Sequence, residues 1–267
     1  VVLDLLFTTC RYSFIHFFII WYVTIEIQKI RRPVIDLLPI VERRISRRTY
    51  QPTPLTDEDQ SSLQMIIERY SGPGYRMQIY EGNLKSHYGL FSGVKNVILM
   101  IADKKDSYSE EKLGYYGELV VLEATVLGLG TCWMGMYDTK SAPIPLAEDE
   151  YIALAITIGY VEGPKMKERL IRKVAHRKTK SIEELTYIEK KPPEWFVKGI
   201  EAVQLAPSAM NRQPVTFTYR DDLVTASVSD ISAHAMAIDL GIAKAHFALG
   251  ASGSWEWGNG KKFNRND

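Results

Sequence analysis

Residues 206–217, "APSAMNRQPVTF", follow the helix-like run "EWFVKGIEAVQL" and lead into a strand-like "VTFTY". Pro207 and Pro214 restrict the backbone around Ser208, Asn211, Arg212 and Gln213. Those hydroxyl and amide groups can donate to, or accept from, a heteroaromatic ligand. A plain helix end with an Asx-type turn would use the same residue types. The segments on either side separate the two readings.

Helix, proline-bearing loop and strand occur twice. "DEDQSSLQMIIERYSGPGYRMQIYEGN" (57–83) has the same order as "EWFVKGIEAVQLAPSAMNRQPVTFTYRDD" (194–222). "GELVVLEATVLGLGTCW" is echoed by "HAMAIDLGIAKAHFALGASGSW", each a helix closing on glycine and tryptophan. The uneven spacing reads as a degenerate internal repeat. "KKPPEW" is the clearest internal boundary, giving a first half over 34–190 and a second, partial repeat over 191–267.

Within the first half, "IDLLPIVERR" predicts a short amphipathic helix, and "ISRRTYQPTPL" a proline-punctuated loop. Thr56 with Asp59 three residues on predicts a helix start. "YRMQIYE", "NVILMIAD" and "YIALAITIGY" predict strands. In "YYGELVVLEATVLGLG", Leu119, Leu122 and Val126 predict one apolar helix face.

The chain has 267 residues, 46% hydrophobic and 24% charged, which fits an ordinary globular protein. Lys+Arg number 33 against 32 Asp+Glu, so the basic excess of a nucleic-acid binder is lacking. Cys10 and Cys132 cannot form a disulfide framework, which points to a reducing cytoplasm. The five histidines lack metal-ligand spacing, so no metal is expected. Asp239 and Glu123 read as lone surface or packing acids in helical runs. Residues 12–25, "YSFIHFFIIWYVTI", are uncharged and aromatic-rich. Residues 1–33 are read as lying upstream of a start near Val34, or as a short membrane anchor.

Three constellations can carry chemistry. "ERRISRRTY" places Arg43, Arg44, Arg47 and Arg48 around Ser46, which suits an anion, or else a solvated turn at a helix end. "GLGTCWMGMY" pairs glycines that permit close backbone approach with Trp133 as a wall, or else caps a helix. The opening stretch is the third.

Together they resemble the FMN-dependent nitroreductase superfamily over about residues 36–258. "RRISRRTYQPTPL" looks like its Arg-x-Ser-x-Arg-x-aromatic motif, "GLGTCWMG" like its Gly-Leu-Gly-x-Cys-Trp helix end, and "APSAMNRQPVTF" like its Pro-Ser-x-x-Asn-x-Gln-Pro motif. The resemblance implies an α+β fold, with a mainly antiparallel sheet wrapped by helices. It also implies ping-pong hydride transfer from NADH or NADPH through FMN to a small-molecule acceptor such as a nitroaromatic or quinone. Reductive dehalogenation, flavin fragmentation and non-catalytic flavin binding stay open as alternatives. The flavin carries the chemistry, so no side chain is expected as general acid or base.

By the same resemblance, Arg44 and Ser46 meet the phosphate and Arg48 the pyrimidine edge. Trp133, Met134 and Gly135 lie on the flavin-facing stretch, with the Gly135 N–H toward N5. Arg177 belongs to a terminal phosphate clamp, where Thr179 replaces an arginine and Lys178 or Lys180 substitutes. Pro207, Ser208, Asn211 and Gln213 form the loop that, in the usual homodimer, reaches the flavin from the partner. Here that loop is in the second half, and "SGPGYRMQIY" lacks its polar members at the usual place. One chain is therefore expected to play both roles as a monomeric pseudo-dimer, with a homodimer as the alternative.

Overall fold

In the computed structural model, the described residues are 35–82, 90–135, 137–138, 142–163, 178–233 and 235–266. The apolar stretch 12–25 and Arg177 lie outside them.

Helix α1 (Leu38–Arg43) has proline in its first turn, where a missing N–H costs nothing. Helix α2 (Asp57–Tyr70) begins where expected, and the Thr56 hydroxyl accepts from Asp59 N at 3.2 Å. Strands β1 (Tyr75–Glu81) and β2 (Asn96–Asp103) pair antiparallel. Helix α3 (Ser109–Val126), β3 (Gly130–Met134) and β4 (Glu150–Gly159) complete an all-antiparallel sheet ordered β1-β2-β4-β3. A short α4 (Ile182–Leu185) carries a capping box from Ser181 and runs into β5 (Thr186–Ile188).

The same order then recurs: α5 (Glu194–Gln204), β6 (Thr216–Arg220), β7 (Leu223–Ser227), α6 (Met236–Ala251), β8 (Gly253–Trp255) and β9 (Phe263–Arg265). β6 pairs antiparallel with β7, and β8 with β9; a bridge from Thr225 to Lys262 brings β7 beside β9. These strands form a three-stranded sheet ordered β5-β6-β7 and a separate two-stranded sheet β8-β9. Parallel pairing occurs between β5 and β6, at the outer edge. The fold is α+β, and the described residues from Leu37 onward form one compact unit.

Helices α3 and α6 pack through two glycines. A Cβ on Gly114 would stand 2.2 Å from the Ile238 carbonyl oxygen, and one on Gly241 would stand 2.0 Å from that of Glu111. Each glycine of one helix thus faces the backbone of the other. Packing on both sides overturns the single apolar face expected for α3. Val126 is 40% exposed and Leu119 half-buried, whereas Gly117, Glu118, Val120, Val121 and Leu122 are all buried.

Lys244 of α6 is fully buried and donates to Glu111 and to the carbonyls of Glu256 (3.1 Å) and Gly258 (2.9 Å). Glu111 also accepts from Gly258 N at 2.8 Å, tying the segment between β8 and β9 to both helices. Phe196, Phe217, Phe247, Trp255 and Phe263 form an aromatic core in the second half. No helix among the described residues is long and apolar enough to cross a membrane. No group of metal-ligating side chains occurs among them either.

Candidate active site

The arginine loop lies along the edge of β3. Ser46 bridges Thr131 in parallel, and Arg47 N donates to the Thr131 carbonyl at 2.8 Å. Extended backbone alternates its side chains. Arg44, Ser46 and Arg48 therefore line one side, while Arg47 is buried and donates to the Glu162 carbonyl. The Tyr50 hydroxyl fixes the turn by donating to the Arg47 carbonyl at 2.7 Å. Exposed Arg43 sits in the last turn of α1, where a cation complements the helix dipole.

The Pro207–Pro214 loop is strained, with Met210, Asn211 and Gln213 at φ 53°, 51° and 50°. Each such residue costs on the order of 1–3 kcal/mol and persists only where its surroundings over-determine it. Here Ser208 Oγ accepts from Gln213 N (2.9 Å), and Lys180 Nζ donates to the Gln213 carbonyl (2.9 Å). The Asp239 carboxylate accepts from Ala209 N (3.0 and 3.2 Å).

Two adjoining cavities separate this loop from the arginine loop. The first, about 340 Å³, is lined by Arg44, Ile45, Ser46, Arg48, Thr179, Pro207, Ser208 and Asn211, among others. The second, about 430 Å³, is lined by Trp133, Gly135, Leu154, Arg212, Ile238 and Asp239, among others. Ser46, Arg48, Pro207, Ser208 and Met210 border both. Arg44 Nη2 also donates to the Leu205 carbonyl at 3.3 Å, across 161 residues of sequence.

Of the expected site residues, the structure brings Arg44, Ser46, Arg48, Trp133, Gly135, Pro207, Ser208 and Asn211 around these cavities. Three go elsewhere. The Met134 side chain is buried in the core with Tyr50, Leu99 and Tyr137, because strand alternation turns it to the opposite face. Gln213 is spent tying its loop to the 178–180 segment: its Oε1 accepts from Lys180 N (2.9 Å) and its Nε2 donates to the Lys178 carbonyl (3.3 Å). Lys180 is correspondingly a loop brace, and Thr179 is the neighbour that lines the first cavity.

Sequence reasoning missed three residues. Asp239, expected at the surface or in packing, is buried in the wall of the second cavity. Burial pushes its carboxyl up to about 6, against the opposing influence of the Ala209 N–H and Arg212. Glu118 and His246, both fully buried, bond to each other behind the arginine loop at 3.0 Å. A lone acid or histidine in a helical run gives no sign of its partner in sequence. Glu123, by contrast, is a packing residue, paired with Arg69 (2.8 Å) and Tyr70 (2.7 Å).

The family model described as "Putative TM nitroreductase" matches residues 36–251. The chain belongs to this nitroreductase family, and it is an oxidoreductase by that membership. Among solved structures it is similar to one described as a "putative nitroreductase" from Thermotoga maritima, at 22% identity and a TM-score of 0.59, over 87% of this chain and 94% of that one. A shorter match, 21% identical with a TM-score of 0.40, is to an FMN-dependent nitroreductase of Clostridium difficile. It spans 47% of this chain and 88% of that one. No curated protein matches the sequence.

Proposed function

We propose that the protein is an FMN-dependent NAD(P)H oxidoreductase that reduces a flat acceptor such as a nitroaromatic or quinone. The observation carrying this reading is that the arginine loop and the Pro207–Pro214 loop border the same two adjoining cavities. The donor chemistry fits the cofactor. Arg44 and Arg48 line the first cavity, where Ser46, Ser208 and Thr179 add hydroxyls. The second cavity combines the Trp133 and Gly135 edge with Leu154, Ile238 and Ile242, a lining suited to a flat ring.

When bound, FMN supplies the redox chemistry, accepting a hydride from NAD(P)H and passing electrons to the acceptor. Arg44 and Ser46 would hold the phosphate, since arginine and hydroxyl donors suit its oxygens. Arg48, bordering both cavities, would stabilise negative charge at the pyrimidine edge of the reduced ring. At about 4 Å and an effective dielectric near 20, that charge is worth roughly 4 kcal/mol. For a two-electron couple this is roughly 80–90 mV as an upper bound. The Gly135 N–H would meet the ring edge, and Pro207, Ser208 and Asn211 would close the opposite wall. With both loops on one chain, we propose a monomeric pseudo-dimer.

The test is the visible spectrum of the purified protein, before and after anaerobic NAD(P)H. A flavin spectrum that bleaches on addition, and returns with a nitroaromatic or quinone, is expected. A colourless protein that FMN does not reconstitute would overturn the proposal.

A further inference from the structure

Behind the arginine loop, three groups converge on one carboxylate. Glu118 Oε2 accepts from the Trp133 indole at 2.8 Å. Its Oε1 lies 3.0 Å from His246 Nε2 and 3.5 Å from Arg44 Nε. The Arg44 approach is ionic without a hydrogen bond, because Nε has no bonded partner. Glu118 and His246 are fully buried, and the Arg44 side chain is 10% exposed, so water screens this group little.

An ionised carboxylate so close to Arg44 would cancel the charge that a phosphate needs. The second face of the imidazole removes the difficulty. His246 Nδ1 lies 3.0 Å from the Ala202 carbonyl oxygen, which can only accept, so Nδ1 carries a hydrogen. The 3.0 Å contact between Nε2 and Glu118 Oε1 then needs a second proton, on one atom or the other. Either placement makes the Glu118–His246 pair neutral overall and leaves Arg44 with its full positive charge.

We propose that His246 is a positioning residue for cofactor phosphate binding: it neutralises Glu118, so that Glu118 can orient Arg44 and Trp133 without consuming the charge on Arg44. This rests on the FMN reading above. It separates two properties that a simple arginine–carboxylate pair would set against each other, a fixed guanidinium and a net positive charge facing the first cavity. It also links the walls of both cavities, since the carboxylate that faces Arg44 holds Trp133.

The experiment compares the affinities of apo-protein for FMN and for riboflavin, which lacks the phosphate. His246→Gln leaves Glu118 charged, so FMN affinity should fall roughly tenfold or more while riboflavin affinity stays unchanged. Glu118→Gln, in which the amide can still accept from Trp133, should keep the FMN-to-riboflavin preference at or above wild type. The double variant should regain the preference lost in His246→Gln. A His246→Gln protein that loses both flavins equally would overturn the proposal, as would a double variant without recovery. The Glu118→Gln result stands by itself if His246→Gln fails to fold, and a lost preference there would also overturn it. A wild-type protein that binds neither flavin would overturn the FMN reading as well, which distinguishes the two failures.

Discussion

Arg44 and Arg48 occupy one short loop, yet their removal should be felt differently. Arg44 borders the first cavity alone, whereas Arg48 borders both. Arg44→Ala should weaken FMN retention about tenfold to a hundredfold, the worth of a charge-assisted hydrogen bond, and Ser46→Ala by less. Flavin occupancy after gel filtration reads this directly; full occupancy in both variants would remove the loop from the phosphate. Arg48→Ala should lower the flavin potential by tens of millivolts, with a smaller loss of cofactor. Potentiometric titration without a shift would remove Arg48 from the ring edge.

Asp239 gives a prediction in pH. Its carboxyl rises from 3.8 to about 6 on burial, so the folded state favours the protonated form. The resulting stability is fully present below the unfolded value and is lost as pH rises through about 6. Asp239→Asn, still able to accept from Ala209 N–H, should flatten the dependence of Tm on pH between about 4 and 6. The difference approaches about 3 kcal/mol. Parallel profiles for wild type and variant would contradict it. The grouping of Arg44, Ser46 and Arg48 was legible in sequence from their motif; the extended backbone that turns them to one side is seen in the structure. Met134 was not, because its motif position and its strand face conflict, and the strand face decides.

Among the elements, α2, β1 and β2 were legible to the residue, each bounded by a cap, a turn or an apolar run. Helix α3 was misjudged because its second neighbour, α6, lies more than a hundred residues away in sequence and sends no periodic signal. Strands β5, β8 and β9 are three residues each, too short for alternation to register. The interhelical glycines give the test at this scale. Gly241→Ala would place a methyl 2.0 Å from the Glu111 carbonyl oxygen, and backbone cannot rotate away as a side chain can. It should cost about 1–3 kcal/mol or more, seen as a lower urea midpoint. An unchanged midpoint would mean that α3 and α6 separate readily.

At the scale of the whole molecule, the two halves share an order of elements but differ where a second cofactor would sit. Gly258 follows Gly253 as Gly135 follows Gly130, yet its N–H is taken by Glu111 at 2.8 Å. Next to it, Trp257 meets Tyr115 at 5.5 Å, and Tyr75 stacks on Tyr116 at 5.4 Å. "YIEKKPPEW", where a second arginine loop would fall, contains neither arginine nor serine. The motif asymmetry is legible in sequence, while the Glu111–Gly258 bond joins residues far apart that no single segment reveals. We therefore expect one FMN per chain.

Light scattering during gel filtration, combined with flavin absorbance on residues 34–267, measures mass and stoichiometry together. A site built from both loops of one chain predicts one FMN at the mass of a single chain. Two FMN per chain, or FMN held only at the mass of a dimer with Arg44 from one copy and Asn211 from the other, would contradict it.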